Sequence, residues 1–288
     1  MAEESAPVTE SSSVKKSVDD PSGGLKSSQF SIMSVYQAAI AGACRYITVT
    51  WSKNIMAHTL CFLVDGYGDG NQYTCKIDLK PWHFWNRKGF KQFDVAGDQI
   101  DVFWDLRTAK FSGGPEPQGE FYVAVVCQDE VVLLLGELKK EAYRKTRSRP
   151  SLFDAVLLSK KENVFGKKCF VTRAKFDGTG KEHDIVVENS ISTSKEDPEM
   201  WISIDGNVVV HVKGLFWKFR GNDTVSVDNM SLQVFWDVHD WLFGGGSGHA
   251  LFIFKPGLPE ISQSDEESSF SGCSVTGFSL ILYAWKLE

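Results

Sequence analysis

The amino-acid sequence predicts an all-β protein, an antiparallel β-sandwich or barrel-like fold built from two sequence-related halves with one short helix between them. Two observations lead to this fold class. Most of the chain consists of short segments in which apolar and polar residues alternate, separated by Gly, Asn, Asp and Pro, and this pattern is typical of strands and turns. In addition, the stretch Val-Phe-Trp-Asp occurs at residues 102–105 and again at 234–237, 132 positions later.

The same offset relates further positions around the repeated stretch. The pairs are Phe84 and Phe216, Trp85 and Trp217, Gly89 and Gly221, Val95 and Val227, and Phe111 and Phe243. Each copy is predicted to be the second arm of a β-hairpin, whose two-residue loop favours positive φ. We expect Trp104 and Trp236 to be buried. Phe103 and Phe235 lie on the opposite, polar face of the predicted strands, which indicates that something partly covers that face.

Composition divides the chain into four segments. They are a disordered Ser-rich tail (residues 1–30), a first β half (31–150), a basic connection (151–168) and a second β half (169–288), with the two halves packed together. Hairpins are predicted at residues 121–135 and 200–212, and a strand is predicted at residues 215–219. The helix is predicted at residues 137–146. Residues 155–158 suit either a strand or a helix.

Composition also excludes several classes of protein. The net charge of −6 and the pI near 5.6 are unlike those of a nucleic-acid-binding protein, so we expect no nucleic-acid partner. The acidic N-terminus lacks the apolar core of a secretion signal, and no apolar run is long enough to be a transmembrane segment. The six cysteines are scattered without CxxC spacing and are expected to be reduced. We therefore predict a cytoplasmic or nuclear protein that is not secreted.

Five longer stretches are similar to those of a known plant family. They are Cys-Arg-Tyr-Ile-Thr-Val-Thr-Trp at 44–51, Ile-Asp-Leu-Lys-Pro-Trp-His-Phe-Trp at 77–85, Asp-Val-Phe-Trp-Asp-Leu-Arg-Thr-Ala-Lys-Phe at 101–111, Glu-Met-Trp-Ile-Ser-Ile-Asp-Gly at 199–206 and Val-Phe-Trp-Asp-Val-His-Asp-Trp-Leu-Phe at 234–243. Together they resemble the family catalogued as domain of unknown function 868, over residues 33–288. The resemblance implies a plant protein and implies no activity, substrate or catalytic residue.

No familiar catalytic or metal-binding motif stands out in the sequence. The six histidines have neither HxxxH nor HxH spacing, so we predict no metal site and no cofactor. His239 and Asp240 are interpreted as a polar pair at the end of a strand. The loop at residues 65–71 contains acidic residues and an Asn, whose oxygens are calcium ligands. The same residues are common in turns, and we interpret the loop as a turn.

Asp105 and Asp237 occupy equivalent positions in the repeated stretch. Because paired carboxylates serve glycosidases, one hypothesis is a hydrolase that acts on carbohydrate or lipid through these two residues. The competing interpretation is that each Asp performs the same structural task, accepting backbone hydrogen bonds where its strand ends. We favour the structural interpretation. The predicted function is therefore a non-catalytic binding or interaction module with an unknown protein partner.

Aromatic residues are abundant, with nine tryptophans and twenty phenylalanines. Most are predicted to lie in the core, where each buries a large apolar area. Polar and basic residues surround two of the tryptophans in the first half. We predict a ligand-binding face composed of Trp82, Trp85 and Arg87.

Basic residues are concentrated between the two halves, where residues 139–168 contain ten Lys or Arg and three acidic residues. The densest part is called the basic patch, defined by Lys139, Lys140, Arg144, Lys145, Arg147 and Arg149. Its like charges repel one another and are expected to face solvent or an anionic partner. In order of preference we expect an import receptor, the chain's own acidic segments or an anionic membrane. A solvated helix face and linker is the simpler alternative.

Two serines precede acidic residues in the pattern that acidophilic kinases favour. Ser194 has an acidic residue three positions later, and Ser264 is followed by Asp265-Glu266-Glu267. A phosphate would add about −1.5 to −2 charge at each position. We predict both serines as phosphorylation sites.

Overall fold

The computed structural model of the chain describes residues 30–54, 57–65, 72–79, 87–111, 114–176, 180–191, 197–244, 248–257 and 277–287. The tail that the sequence predicts to be disordered, residues 1–30, lies outside this description apart from Phe30. Among the described residues, no helix has the length and apolar character needed to cross a bilayer.

The first half contains nine strands and a helix within the described residues. They are β1 (Phe30–Ile40), β2 (Ala43–Lys53), β3 (His58–Asp65), β4 (Gln72–Leu79), β5 (Lys88–Val95), β6 (Asp98–Asp105), β7 (Tyr122–Cys127), β8 (Glu130–Leu135), α1 (Lys139–Thr146) and β9 (Arg149–Pro150). The helix predicted at residues 137–146 is confirmed. It ends at Arg147, which adopts a left-handed conformation with φ of 57° and closes the helix through a backbone hydrogen bond to Tyr143.

The rest of the chain adds nine strands and a second helix within the described residues. They are β10 (Val156–Gly166), β11 (Cys169–Ala174), β12 (His183–Asn189), β13 (Met200–Ile204), β14 (Asn207–Val212), β15 (Arg220–Val227), β16 (Met230–Asp237), α2 (His239–Phe243), β17 (His249–Pro256) and β18 (Ser279–Lys286). The expectation of one helix is therefore wrong, since the described residues contain two. The sequence did not indicate α2 because its five residues are too few to show helical periodicity. The strand predicted at residues 215–219 is also wrong, since Leu215, Phe216 and Trp217 form a turn.

The strands form three open sheets. The largest has nine strands in the order β15-β16-β17-β18-β10-β1-β2-β3-β4. A five-stranded sheet has the order β5-β6-β7-β8-β9, and a four-stranded sheet has the order β11-β12-β13-β14. Nearly all neighbouring strands are antiparallel, and the exceptions among the described strands are β8 with β9 and β10 with β18. The predicted all-β fold is confirmed.

Two separate apolar clusters hold these sheets together in a sandwich-like arrangement. The first contains buried residues of β1–β4 and β5–β8, and the second contains buried residues of β11–β14 and β15–β18. Alternation along the strands selects the inward side chains, because successive residues of a strand point to opposite faces. On β2 they are Ile47, Val49 and Trp51, and on β6 they are Ile100, Val102 and Trp104.

Strand β10 joins the two sandwiches. It pairs antiparallel with β1 and parallel with β18, so that the large sheet continues from the first half into the second. Residues 151–168, which were expected to be a basic connection, thus contain a central strand. The sequence left residues 155–158 open between strand and helix, and Val156, Leu157 and Leu158 belong to this strand. The sequence prediction missed this role because the partners of β10 are distant along the chain.

Tight hairpin turns with positive φ connect five of the described strand pairs. They are Ala41-Gly42, Ala96-Gly97, Gln128-Asp129, Asp205-Gly206 and Asp228-Asn229. Left-handed backbone at both central positions matches the right-handed twist of the flanking strands. The hairpins predicted at residues 121–135 and 200–212 are confirmed.

The two repeated hairpins have the same register. Gly89 lies opposite Trp104 across β5 and β6, and Gly221 lies opposite Trp236 across β15 and β16. In both hairpins the indole lies directly over the glycine, and a Cβ at either glycine would overlap the ring. The pairing predicted from the 132-residue offset is therefore present in the backbone and in the packing. The glycines are required because the indole occupies the space of a side chain.

Burial differs between the two repeated tryptophans. Trp104 belongs to the first core and is 8% exposed. Trp236 is only partly buried against the second core and donates a hydrogen bond from Nε1 to the carbonyl of Lys218 at 3.0 Å. The expectation that both are buried is confirmed for Trp104 and wrong for Trp236, which lies on the edge hairpin of the large sheet.

Helix α1 covers the outer face of the five-stranded sheet. Ala142 is fully buried and packs with Tyr122, Ala124, Val126 and Val131 in a third apolar cluster. Phe103 packs against this cluster, which explains an aromatic side chain on an otherwise polar strand face. Its counterpart Phe235 has no such cover and is 37% exposed. The cover predicted for this face of the strand is therefore present over Phe103 and not over Phe235.

The described cysteines are of two kinds. Cys61, Cys75, Cys127 and Cys169 are free thiols, and burial raises the pKa of each, to about 11 for Cys75. Cys44 is disulfide-bonded. The expectation of reduced cysteines is therefore wrong at Cys44.

Candidate functional site

A cavity of about 240 Å³ lies at one end of the first sandwich. The described residues that line it are His58, Leu79, Arg87, Leu106, Ala109 and Phe111. Ligand pockets for drug-sized molecules are typically larger, about 300–1,000 Å³. The cavity therefore has room for a small ligand only.

The ends of four strands place these side chains around the cavity. His58 begins β3 and lies opposite Leu79, the last residue of β4. Arg87 precedes β5 and Leu106 follows β6, and the amide of Leu106 donates to the carbonyl of Arg87 at 2.6 Å. The two sheets of the sandwich contribute one wall each, because β3 and β4 belong to the large sheet and β5 and β6 to the five-stranded sheet.

The residue of the second half that lies 132 positions after Ala109 is Trp241. The amide of Ala109 donates to the carbonyl of Leu106 at 3.3 Å, and the amide of Trp241 donates to the carbonyl of Val238 at 3.1 Å. These residues are 132 positions apart, so the matching hydrogen bonds continue past β6 and β16. Trp241 is 5% exposed and stacks on Phe170 with 4.9 Å between ring centroids. The first sandwich has a methyl group where the second has an indole.

His58 contributes a buried nitrogen to the cavity region. Its ring packs on Phe111 with 4.2 Å between centroids, and its Nδ1 is buried without a hydrogen-bond partner among the described residues. Burial lowers the pKa of His58, and the charges of Lys53 and Arg87 lower it further, against a backbone hydrogen bond with Pro115. The imidazole is therefore neutral at neutral pH. The Pro115 carbonyl accepts from a ring N–H. Since Nδ1 has no partner, we assign this N–H to Nε2, which leaves Nδ1 as an acceptor.

Arg87 contributes the positive charge. Among the described residues, its guanidinium makes neither an ion pair nor a hydrogen bond, although its backbone carbonyl accepts from Leu106. The sequence placed Arg87 in a ligand face with Trp82 and Trp85. The structure brings Arg87 to the cavity, whereas Trp82 and Trp85 lie outside the described residues. The ligand face stays a prediction, and His58 was missed because no local pattern links it to Arg87.

Asp105 is held in place by its own strand end. It accepts hydrogen bonds from the amide of Arg107 at 3.3 Å and from the Arg107 guanidinium at 2.9 and 2.8 Å, and Lys88 lies 3.4 Å away. Burial raises the pKa of Asp105, but the hydrogen bonds and charge of Arg107 outweigh it and hold the pKa below its usual range. The carboxylate is ionised and fully engaged.

Asp237 has the same arrangement in the other copy. It accepts from the amide of His239 at 3.1 Å and from Nε of Arg220 at 2.7 Å. Arg220 is the counterpart of Lys88, which pairs with Asp105. Because the two carboxylates lie in different sheets and each binds its own cation and backbone amide, the contacts match the structural interpretation and give no support to a shared catalytic pair.

The basic patch lies on and just after α1. All six side chains are exposed. Arg144 pairs with Glu141, and Arg149 pairs with Glu130 at 2.6 Å. The remaining four, Lys139, Lys140, Lys145 and Arg147, make no ion pair within the described residues. Two of the six cations are thus paired, and the other four leave a surplus of positive charge facing solvent.

One cluster of potential metal ligands escaped the sequence analysis. A ring nitrogen of His183 and carboxylate oxygens of Asp205 and Asp228 lie within 4.8 Å of one another. The ammonium of Lys181 contacts both carboxylates, and His183 lies 2.9 Å from Asp205. A cation, the ammonium of Lys181, thus already occupies this position. Spacing gave no signal because the start of β12 and two separate hairpin turns bring the residues together.

An exposed aromatic cluster surrounds α2 and was also missed. Phe243 lies 6.3 Å from Phe216 and 5.7 Å from Phe219 between ring centroids, and Trp217 is 87% exposed. His239 and Asp240, interpreted as a polar pair at a strand end, are hydrogen-bonded at 3.0 Å at the start of α2. The predicted phosphorylation sites Ser194 and Ser264 and most of the loop at residues 65–71 lie outside the described residues.

The chain matches one family model. It is described as plant protein of unknown function (DUF868) and matches residues 27–286, so the resemblance seen in the sequence is confirmed. No curated protein and no solved structure matches the chain. The match spans both sandwiches and the cavity, and its description names no activity or ligand.

Proposed function

The chain belongs to the DUF868 family of plant proteins of unknown function, and we propose that it is a non-catalytic binding module. Its binding site is the cavity beside Ala109. The observation that carries this proposal is the contrast between Ala109 and Trp241 at equivalent positions. The second half has a buried indole at this position of the repeat, whereas the first half has a methyl group that lines a cavity.

The described lining supports binding rather than catalysis. Four of the six residues, Leu79, Leu106, Ala109 and Phe111, have no group that can act as an acid, a base or a nucleophile. His58 is the one described side chain there suited to proton transfer at neutral pH, and it has no nucleophile beside it among the lining residues. Acid-base or nucleophilic catalysis needs a pair of positioned groups.

The matching geometry of the two sandwiches supports an internal duplication. The hairpin register, the glycine beneath each indole and the hydrogen bonds of Ala109 and Trp241 recur at the same offset. Under this proposal one copy serves binding and the other serves stability. We also propose a cytoplasmic or nuclear location, which the four free thiols among the described cysteines support and the disulfide bond of Cys44 opposes.

A protein partner at the basic patch is the second part of the proposal. Four of its cations are exposed without an acidic partner among the described residues, which suits an acidic surface on an import receptor. Changing Arg144, Lys145, Arg147 and Arg149 to Gln in a large fluorescent fusion should shift the protein from nucleus to cytoplasm. An unchanged distribution would leave the patch as a solvated helix face and linker.

The binding proposal is tested by screening a fragment library with ligand-observed NMR on the wild type and on Ala109→Trp. We expect hits that bind the wild type and are lost in Ala109→Trp, because the chain already accommodates an indole at the equivalent position. Tyr46→Trp is the matched control, since Tyr46 is exposed on β2 beside the opposite end of the sandwich. Hits that bind both variants equally would refute the cavity as the site.

A further inference from the structure

The polar groups of the cavity indicate the chemistry of its ligand. This inference rests on the proposed binding function and goes one step further. Three features of the described lining bear on it: an apolar floor, an unpaired cation and an unpaired hydrogen-bond acceptor.

The cation comes from Arg87. A guanidinium that lines a cavity without an ionic partner among the described residues attracts an anion. Arg suits a carboxylate in particular, because its planar fork can donate two parallel hydrogen bonds. The neutral His58 beside it contributes no competing positive charge at neutral pH.

The acceptor is Nδ1 of His58. A buried polar atom without a partner is unfavourable, so a ligand that supplies a donor there gains binding free energy. Protonation of the imidazole would also supply an N–H, but burial and the charges of Lys53 and Arg87 oppose it. A ligand hydroxyl or amino group is therefore the better match for this nitrogen.

The apolar residues define the body of the ligand. Leu79, Leu106, Ala109 and Phe111 line the space, and the ring of Phe111 packs against His58 with an angle of 44° between the ring planes. Inorganic anions such as phosphate would leave this surface without contacts. An aromatic or alicyclic ring suits both the apolar wall and the volume of about 240 Å³.

We propose that the cavity binds a small organic acid that carries an apolar ring, a carboxylate and one hydrogen-bond donor, with the carboxylate on Arg87 and the donor on Nδ1 of His58. The hydroxybenzoates are the simplest compounds with these three features and serve as probes. They are probes of the class, and each isomer places the donor at a different distance from the carboxylate.

The test is calorimetric titration of the full chain with the three hydroxybenzoate isomers, their methyl esters and benzoate. The best isomer should bind at least about tenfold more tightly than its ester, which lacks the charge, and than benzoate, which lacks the donor; each missing interaction corresponds to about 1.4 kcal/mol. Arg87→Gln should abolish the preference for acid over ester. His58→Phe should abolish the preference for hydroxybenzoate over benzoate.

Failure of this inference is distinguishable from failure of the binding proposal. If esters bind as well as acids and Ala109→Trp removes both, the cavity is a binding site but the assignment of an organic acid is wrong. If Arg87→Gln retains the preference for the acid, Arg87 is not the anion-binding residue and the inference is overturned. Arg107→Gln is the matched control, because Arg107 is an exposed arginine that pairs with Asp105 outside the cavity lining.

Discussion

Single residues determine how tightly each part of this fold is packed. Gly89 and Gly221 show this in a matched pair, because each lies beneath an indole. Trp104 is enclosed by the first core, whereas Trp236 is partly exposed on the edge hairpin. The same substitution therefore meets a rigid ring in one copy and a movable ring in the other.

We expect Gly89→Ala to destabilise the protein by about 1–3 kcal/mol, as overpacking does in other cores. Gly221→Ala should cost less than half as much, because Trp236 can move toward solvent. Free energies of unfolding from urea titration measure both. Equal costs, or a larger cost at Gly221, would show that the two indoles are equally confined.

The neutral His58 predicts a dependence of stability on pH. Its folded pKa lies below the ordinary value of 6.5 because of burial and neighbouring charges. Above pH 6.5 the imidazole is mostly neutral in both the folded and the unfolded chain, so its titration does not change the free energy of unfolding. Below pH 6.5 the unfolded chain binds the proton more readily, so stability falls as pH falls from 6.5 toward the folded pKa.

The measurement is the free energy of unfolding of the wild type minus that of His58→Gln, from neutral pH down to about pH 5. This difference should shrink as the pH falls, because only the wild type carries the group. The comparison cancels the other histidines, which both proteins share. A difference that stays constant or grows on acidification would contradict a depressed pKa.

The elements show which parts of the site the sequence could predict. Hairpins and the helix α1 were predictable because alternation, turn residues and a basic amphipathic segment are local signals. The turn at Leu215–Trp217 and the helix α2 were not, because apolar residues in short segments suit strands equally well. Arg87 was predicted as a candidate from its neighbours in sequence, whereas His58 and Ala109 come together only because the two sheets of the first sandwich pack on each other.

Helix α1 gives a matched test at this scale. Phe103 packs against the cluster beneath α1, and Phe235 is its uncovered counterpart. Phe103→Ala should destabilise by about 2 kcal/mol, below the range of fully buried phenylalanines because Phe103 is only partly buried. Phe235→Ala should change stability by about 0.5 kcal/mol or less. Chemical denaturation compares them, and similar costs would mean that α1 does not cover its sheet in solution.

At the scale of the whole molecule, the large sheet makes the two sandwiches one structure. Strand β10 is hydrogen-bonded to β1 on one side and to β18 on the other. The sequence repeat predicted two related halves but not this sheet, because the parallel pairing of β10 with β18 joins segments more than a hundred residues apart. Composition had marked the same segment as a connection on account of its lysines.

A shared sheet predicts that the halves unfold together. Ile40 belongs to the first core and Phe252 to the second, and both are fully buried. Ile40→Ala and Phe252→Ala should each lower the same single transition by about 2–5 kcal/mol. Differential scanning calorimetry distinguishes this from independent halves, for which two transitions would be seen and each substitution would shift only one.

The central claim is that the cavity beside Ala109 is a binding site. The most direct measurement is a crystal structure of the wild type with the tightest-binding fragment from the NMR screen. We predict electron density for that fragment between Ala109 and Phe111, with its acidic group, where it has one, on the guanidinium of Arg87. A structure in which the protein's own side chains fill the cavity, or in which the fragment lies elsewhere, would contradict the claim.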